Sequence, residues 1–308
     1  MDEHTPVLVE ESLAALALEA DGYYVDATFG RGGHTARILE ALGRKGFLLA
    51  IDRDAAAIEA GRARFADEVR LALVHAPFAE LATLVSRYSD GRPCRGVLFD
   101  LGVSSPQLDD PARGFSFRAD GPIDMRMDAT RGEPVSAWLA RAGVDEIREV
   151  IATLGEERFA RRIAESIVNS RAAAPLTRTS QLAELVSRAV RTREPGKNPA
   201  TRTFQALRMF INDELGQLER GLIAAANALD LGGRLAAITF HSLEDRAVKR
   251  FMESQSRVPP DLARLPIIPA AAEPRFRIVG RKTRPAADEI ARNPRARSAM
   301  LRVVERVR

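Results

Sequence analysis

The sequence predicts an α/β fold with an inserted all-helical domain, on three observations. Short apolar runs of strand length alternate with amphipathic helical patterns over the first hundred residues, and such runs return after residue 231. A glycine-rich turn, "DATFGRGGHT" (26–35), joins the first run to the first helical pattern. Between 136 and 207 the strand-like runs stop and only helical periodicity remains. Continuous apolar runs separated by helices indicate a parallel sheet covered on both faces.

The elements follow in order. "GYYVDATFG" (22–30) reads as strand then turn, and "HTARILEAL" (34–42) as a helix with Gly43 placed to end it. "GFLLAID" (46–52) is a buried strand, and Asp54 can cap the helix of "AAAIEAGRARFA" (55–66). "VRLALVHA" (69–76) and "RGVLFD" (95–100) are further strands. Then comes "DLGVSSPQLDDPARGFSFRADGPIDMRMD" (100–128), too long for a plain turn and wrong for a core helix. A loop of this length in a compact domain is usually functional or disordered. "VDEIREVIATLG", "EERFARRIAESIVNSR" and "TSQLAELVSRAVRTR" are helical, with Phe159, Ile163 and Ile167 on one face. "GGRLAAITF" (232–240), "FRIVG" (276–280) and "AMLRVVE" (299–305) supply the last strands. The α/β domain is therefore expected over 1–135 and 208–308. The helical insert covers 136–207, joined by the Pro/Gly-rich stretches near 111–134 and 195–199.

Composition narrows the class. With 308 residues, 45% hydrophobic and 29% charged, the chain can bury a substantial core and reads as an ordinary globular protein. No apolar run approaches a membrane span, and Asp2, Glu3, Glu10 and Glu11 stand where a secretory signal needs basic then apolar residues. Cys94 is the only cysteine, which excludes an internal disulfide and a cysteine-rich zinc site. Four histidines without close spacing predict no dedicated metal site, and a cytoplasmic location without a membrane partner is expected. The net charge of +4 is uneven: residues 136–208 carry 13 Lys/Arg against 8 Asp/Glu, and 275–308 carry 11 against 3. Two basic regions are what contact with phosphates requires.

In the glycine loop, Gly30, Gly32 and Gly33 allow close backbone approach to a ligand, and the helix behind them offers free N–H groups. The spacing is G-x-G-G rather than the G-x-G-x-x-G of dinucleotide binders. Asp52 ends the next strand, where a carboxylate can accept both ribose hydroxyl protons. The pairing suits an adenosine cofactor: NAD, FAD or S-adenosylmethionine (SAM). The missing pyrophosphate fingerprint favours SAM, and Phe78, after the third strand, is a candidate neighbour of adenine.

Ligands of open α/β sheets sit beyond the carboxyl ends of the strands, so Asp100 and the "DLGVSSPQL" that it begins should lie beside the cofactor. Methyltransferases acting on exocyclic amines place a short polar-proline loop here. An aromatic amine is a poor nucleophile because its lone pair is delocalised into the ring. Acceptors holding both N–H bonds bring that lone pair out of plane. Ser104, Ser105, Pro106 and Gln107 offer hydroxyls, a side-chain carbonyl and backbone carbonyls for that role, and transfer then depends mainly on positioning.

Together "HTPVL" (4–8), "DATFGRGGHT", the 100–128 stretch, "GEERFARRIA" (155–164), "PATRTFQALRMFINDEL" (199–215), "FHSLEDRAVK" (240–249) and "NPRARSAMLR" (293–302) closely resemble the RsmH (MraW) family of bacterial ribosomal RNA small-subunit methyltransferases. The resemblance covers essentially the whole chain. It implies a Rossmann-like SAM-dependent methyltransferase domain with an inserted helical domain. It also implies methylation of cytosine N4 in 16S rRNA, at the decoding centre of the small ribosomal subunit; a homodimer is compatible with it. By matching motif, Gly32, Gly33 and His34 would contact SAM, Asp52 would take the ribose, Phe78 would pack near adenine, and Asp100 and Gln107 would close the site. Arg113, Arg118 and Arg126 are candidates for RNA phosphates, and Phe115, Phe117 or His241 for stacking on the target base. Arg202 and Arg208 are candidates to face RNA, His241 and Glu244 contact the target or organise their loop, and the basic tail suits backbone contact.

Two other classes compete. An NAD-dependent oxidoreductase needs a full dinucleotide fingerprint and a hydride-site acid, and the sequence has neither. A non-catalytic subunit-assembly factor would have lost the glycine loop, Asp52 or the Ser-Ser-Pro loop, and all three are intact. An amino-methyltransferase with another RNA or DNA target stays open.

Overall fold

The computed structural model describes residues 6–192, 196 and 198–308. His4 and Thr5 of "HTPVL", and Pro195 and Lys197 of the linker expected near 195–199, lie outside the described residues. The chain divides into two compact units, Met1–Gly102 with Leu215–Arg308, and Val103–Glu214.

The first unit runs α1 (Val9–Leu16), β1 (Tyr23–Asp26), α2 (Gly33–Ala41), β2 (Phe47–Asp52), α3 (Ala55–Arg64), β3 (Leu71–His75), α4 (Leu81–Tyr88) and β4 (Cys94–Asp100). The second holds α5 (Ser105–Asp109), α6 (Val135–Arg141), α7 (Val144–Gly155), α8 (Ala160–Ala173), α9 (Thr179–Ala189) and α10 (Thr201–Ile211). The chain then adds α11 (Glu214–Ala228), β5 (Leu229–Thr239), α12 (Ser242–Ser256), β6 (Phe276–Ile278), α13 (Ala287–Arg292) and β7 (Met300–Arg306).

The strands form one sheet in the order β3-β2-β1-β4-β5-β7-β6. Strands β1 to β5 are parallel, and β7 runs antiparallel to both β5 and β6. The order reverses between β1 and β4, which makes their carboxyl ends the crevice where α/β sheets bind ligands. The alternation of β1 explains its burial. Tyr23 and Val25 join Leu49, Ile51, Val97, Phe99, Leu218 and Leu222 on one face, while Tyr24 joins Leu48, Leu98, Ala236, Ile238 and Ile38 on the other. Each such side chain contributes roughly 1.5–3 kcal/mol on burial, so the sheet is anchored from both sides.

The second unit begins earlier than the 136–207 insert expected from sequence. Ile123 and Met125, in the long loop, are fully buried with Val135, Trp138, Ile147, Ile151, Ile163, Ile167, Leu182 and Phe204. The loop is thus part of the helical core rather than a linker. Its turns are tight: a Cβ on Gly114 (φ +72°) would lie 2.1 Å from the Pro122 carbonyl oxygen, so only glycine fits.

Candidate active site

The site is built at the carboxyl edge of β1, β2 and β4. Asp26 ends β1 and is fully buried. Its Oδ2 accepts a 2.7 Å hydrogen bond from the Thr35 hydroxyl and its Oδ1 a 3.1 Å bond from the Thr28 N–H. Burial pushes the Asp26 carboxyl above the usual range, against the pull of His34 and the two threonine bonds. Thr28 carries the restraint across the sheet, because its hydroxyl accepts the Asp100 N–H at 2.7 Å. Asp26 therefore fixes both the glycine loop and the end of β4. The sequence reading did not assign it, although a carboxylate closing an apolar strand was a legible signal.

The loop turns through Gly32, which caps α2 in the left-handed conformation (φ +73°), and a Cβ there would lie 2.7 Å from the Phe29 ring. Gly30 differs: a Cβ on it would meet nothing nearer than the Thr28 carbonyl oxygen at 3.8 Å, so open space lies over it. Asp52 accepts the Gly30 N–H at 2.7 Å and the Asp54 N–H at 2.8 Å, one on each oxygen. A carboxylate has about four acceptor positions, so each oxygen keeps capacity for a diol. Burial raises the Asp52 pKa to about 6; the two backbone bonds oppose that rise, and the Asp54 and Asp26 charges add to it.

His34, in the first turn of α2, is 5% exposed, and its Nε2 lies 3.4 Å from Asp100 Oδ2. Burial alone would lower its pKa, but Asp100 and Asp26 outweigh it and hold the imidazole above its ordinary value. Among the described residues, Asp100 Oδ1 is buried without a hydrogen-bond partner. Phe78 packs edge-on against Phe99, centroids 5.5 Å apart at 85°, and stays half-buried. Gly30, Gly32, Gly33, His34, Asp52, Phe78 and Asp100 thus share one unit and one edge.

These residues fit SAM. The space over Gly30 admits a ligand against the backbone, and Asp52 has free acceptor positions. Carboxylates at the ends of three adjacent strands favour a cationic sulfonium and repel a diphosphate, which disfavours the dinucleotide alternatives.

Other expectations meet a different arrangement. Ser104 and Ser105 are half-buried and Pro106 is exposed in the first turn of α5, a short helix where an open loop was expected. Gln107 Oε1 accepts the Ser104 N–H at 3.0 Å, so this residue, expected to close the cofactor site, caps α5. Phe115 is 6% exposed beneath the Arg113 guanidinium, and Phe117 packs on Phe204 with centroids 5.0 Å apart. Both rings serve the helical unit rather than standing free to stack. Arg126 binds Asp124 through two 2.8 Å hydrogen bonds, and Arg113 donates to the Met127 carbonyl at 2.9 Å. Arg118 stays exposed. Arg202 lies half-buried on α10, while Arg208 is turned onto Glu214 with bonds of 2.7 and 2.8 Å. In the first unit, His241 Nδ1 accepts the Glu244 N–H at 3.3 Å, and Glu244 Oε2 accepts the Phe240 N–H at 2.8 Å. These two residues organise the start of α12.

A model of the MraW methylase family matches residues 1–307. The chain is 54% identical over 305 residues to "Ribosomal RNA small subunit methyltransferase H" of Azoarcus sp. (strain BH72), spanning 99% of this chain and 97% of that protein. It is 55% identical over 308 residues to the protein of the same name from Methylibium petroleiphilum, spanning 99% and 95%. Among solved structures, an rRNA methylase from Streptococcus thermophilus superposes with a TM-score of 0.44 at 14% identity, covering 100% of this chain and 99% of the other. On the match along its whole length and on these identities, the chain belongs to the MraW methylase family.

Proposed function

We propose that the protein transfers the methyl group of SAM to the exocyclic N4 of a cytosine in 16S rRNA, at the decoding centre of the small ribosomal subunit. Methylation of small-subunit ribosomal RNA is the activity named for its relatives. The cytosine N4 atom, the assembled subunit as partner and a cytoplasmic location are the finer reading. Consistent with that location, among the described residues no helix is long and apolar enough to cross a membrane. The helical unit is assigned to RNA recognition.

One observation carries the reading: Asp26, Asp52 and Asp100 converge at the ends of adjacent strands, with a buried Asp100 oxygen lacking a donor among the described residues. Bound SAM supplies an electrophilic methyl on a sulfonium. Asp52 receives the ribose hydroxyls, and the space over Gly30 seats the nucleoside. Asp100 would accept an N–H of the target amine, which would turn the nitrogen lone pair towards the sulfonium methyl; on taking the methyl, the nitrogen would release one N–H proton to solvent. By motif, Ser104 and Ser105 are the candidates for further acceptors. His34 and Asp26 hold Asp100 in place from behind.

The test is methyl transfer from labelled SAM to unmethylated small subunits and, in parallel, to naked 16S rRNA, with digested nucleosides read by mass spectrometry. N4-methylcytidine is the expected product. Transfer to another base, or SAM binding with no transfer to either substrate, overturns the proposal.

A further inference from the structure

Far along the sheet from the cofactor residues, the β6–β7 edge departs from regular pairing. Phe276 faces Arg306 and Ile278 faces Val304, so Val279 faces Val303, whose carbonyl it reaches at 3.0 Å. One-for-one pairing would then set residue 281 opposite Leu301, but Thr283 takes that place, with bonds of 3.0 and 2.9 Å. Two extra residues are therefore looped out between Val279 and Thr283. Such irregularities re-aim side chains and persist where they serve a purpose. Here the excursion carries Arg281 and Lys282, both exposed.

The side chains beside it are also cationic. Lys249 and Arg302 join Arg281 and Lys282 around an open cleft, with Glu253 as the acid in its lining. Arg302 spends Nε and Nη2 on Asp245, at 2.7 and 2.9 Å, which fixes its guanidinium and leaves Nη1 for another partner. Lys282 and Lys249 are both close enough to help Arg302 hold the Asp245 carboxyl below its usual range. Lys249 meets Glu253 only at 4.0 Å. Four cations against Asp245 and Glu253 leave the cleft with an excess of two positive charges.

The register places it usefully. Asp100 pairs with Ile238, Ile238 with Leu301, and Leu301 with Thr283. The cleft thus stands level with the Asp100 end of the sheet, three strand spacings away, or about 14 Å. We propose that Lys249, Arg281, Lys282 and Arg302 form a binding site for phosphodiester groups of the RNA substrate, holding its backbone on the catalytic edge a few nucleotides from the target base. This rests on the reading that the substrate is RNA. The cleft has no aromatic lining, so it grips backbone without reading sequence.

The test measures binding of a 16S rRNA transcript across a salt series for the full chain, for Arg281→Ala/Lys282→Ala and for Arg44→Ala/Lys45→Ala. The last pair is also exposed and has the same charge, but precedes β2, at the amino end of a strand on the far side of β1 from the cleft. The Arg281/Lys282 variant should lower the slope of log affinity against log salt by about 2, roughly one for each lost phosphate contact. Its SAM affinity by calorimetry should be unchanged, which also reports that it is folded. The Arg44/Lys45 variant should keep the wild-type slope. An unchanged slope for the first variant, or an equal drop for both, overturns the proposal. So does loss of capture on anionic lipid vesicles with RNA binding intact. If wild type binds the transcript yet methylates neither transcript nor subunits, the proposed function fails while the slopes still decide the cleft.

Discussion

If Asp52 takes the ribose as proposed, SAM affinity should depend on pH in one direction. Only the carboxylate can accept both ribose hydroxyls, and in the free protein burial holds its pKa at about 6. At pH 5 about one molecule in eleven carries the ionised form, so affinity should be roughly tenfold weaker than at pH 7, about 1.4 kcal/mol. Below pH 6 the loss should continue at about one decade per pH unit. Stability moves the opposite way. The folded pKa lies above the unfolded value, so the native state holds an extra proton; the contribution is fully present below about pH 4 and is lost as pH rises through 6. Its size is at most about 3 kcal/mol for two pKa units, an upper bound because solvent reaches part of Asp52. Bound SAM should therefore raise the melting temperature more at pH 7 than at pH 5. Calorimetric titration between pH 5 and 7 is the assay, with Asp52→Asn as the comparison, since it removes the charge and keeps the shape. A flat affinity over that range, or an Asp52→Asn protein that retains the slope, would refute the reasoning.

Other outcomes follow from the same geometry. Asp100→Asn should lower the transfer rate by about 10²-fold or more while changing rRNA affinity far less; single-turnover kinetics beside a binding titration separates the two. Thr35→Val leaves buried Asp26 Oδ2 without its 2.7 Å bond, which should cost about 1–3 kcal/mol in denaturant unfolding. Phe117→Ala removes the ring packed on Phe204, and about 2 kcal/mol of lost stability is expected from the deleted apolar contact. A stable Phe117→Ala protein with weakened RNA binding would return that ring to a stacking role.

What was legible in the sequence was whatever depends on local pattern. The apolar runs gave the strands, and the turn glycines with Asp52 and Asp100 fall together at the carboxyl edge of the sheet, where parallel sheets bind ligands. Asp54 caps α3 as expected, accepting the Ala56 N–H at 3.1 Å. Partner choice over distance was not legible. Arg126 could as well have reached phosphate as Asp124, and nothing in "PIDMRMD" shows that the bidentate pair forms. Ile123 and Met125 sit in a stretch without periodicity, so their burial among helices more than ten residues away moved the domain boundary unannounced. Gln107 was assigned by motif, yet its position three residues after Ser104 is also that of a capping box.

The strand order carries a further consequence. β7 lies between β5 and β6, so an interior strand of the sheet is synthesised after both of its neighbours. Until residues 300–306 leave the ribosome, β5 presents a bare edge along Leu235–Thr239 and its apolar faces have no neighbour on that side. A nascent chain of this protein therefore carries a sticky, unpaired strand from the emergence of β5 until that of β7. Loss of β7 would leave every copy in that half-closed state, prone to aggregate however intact its cofactor edge.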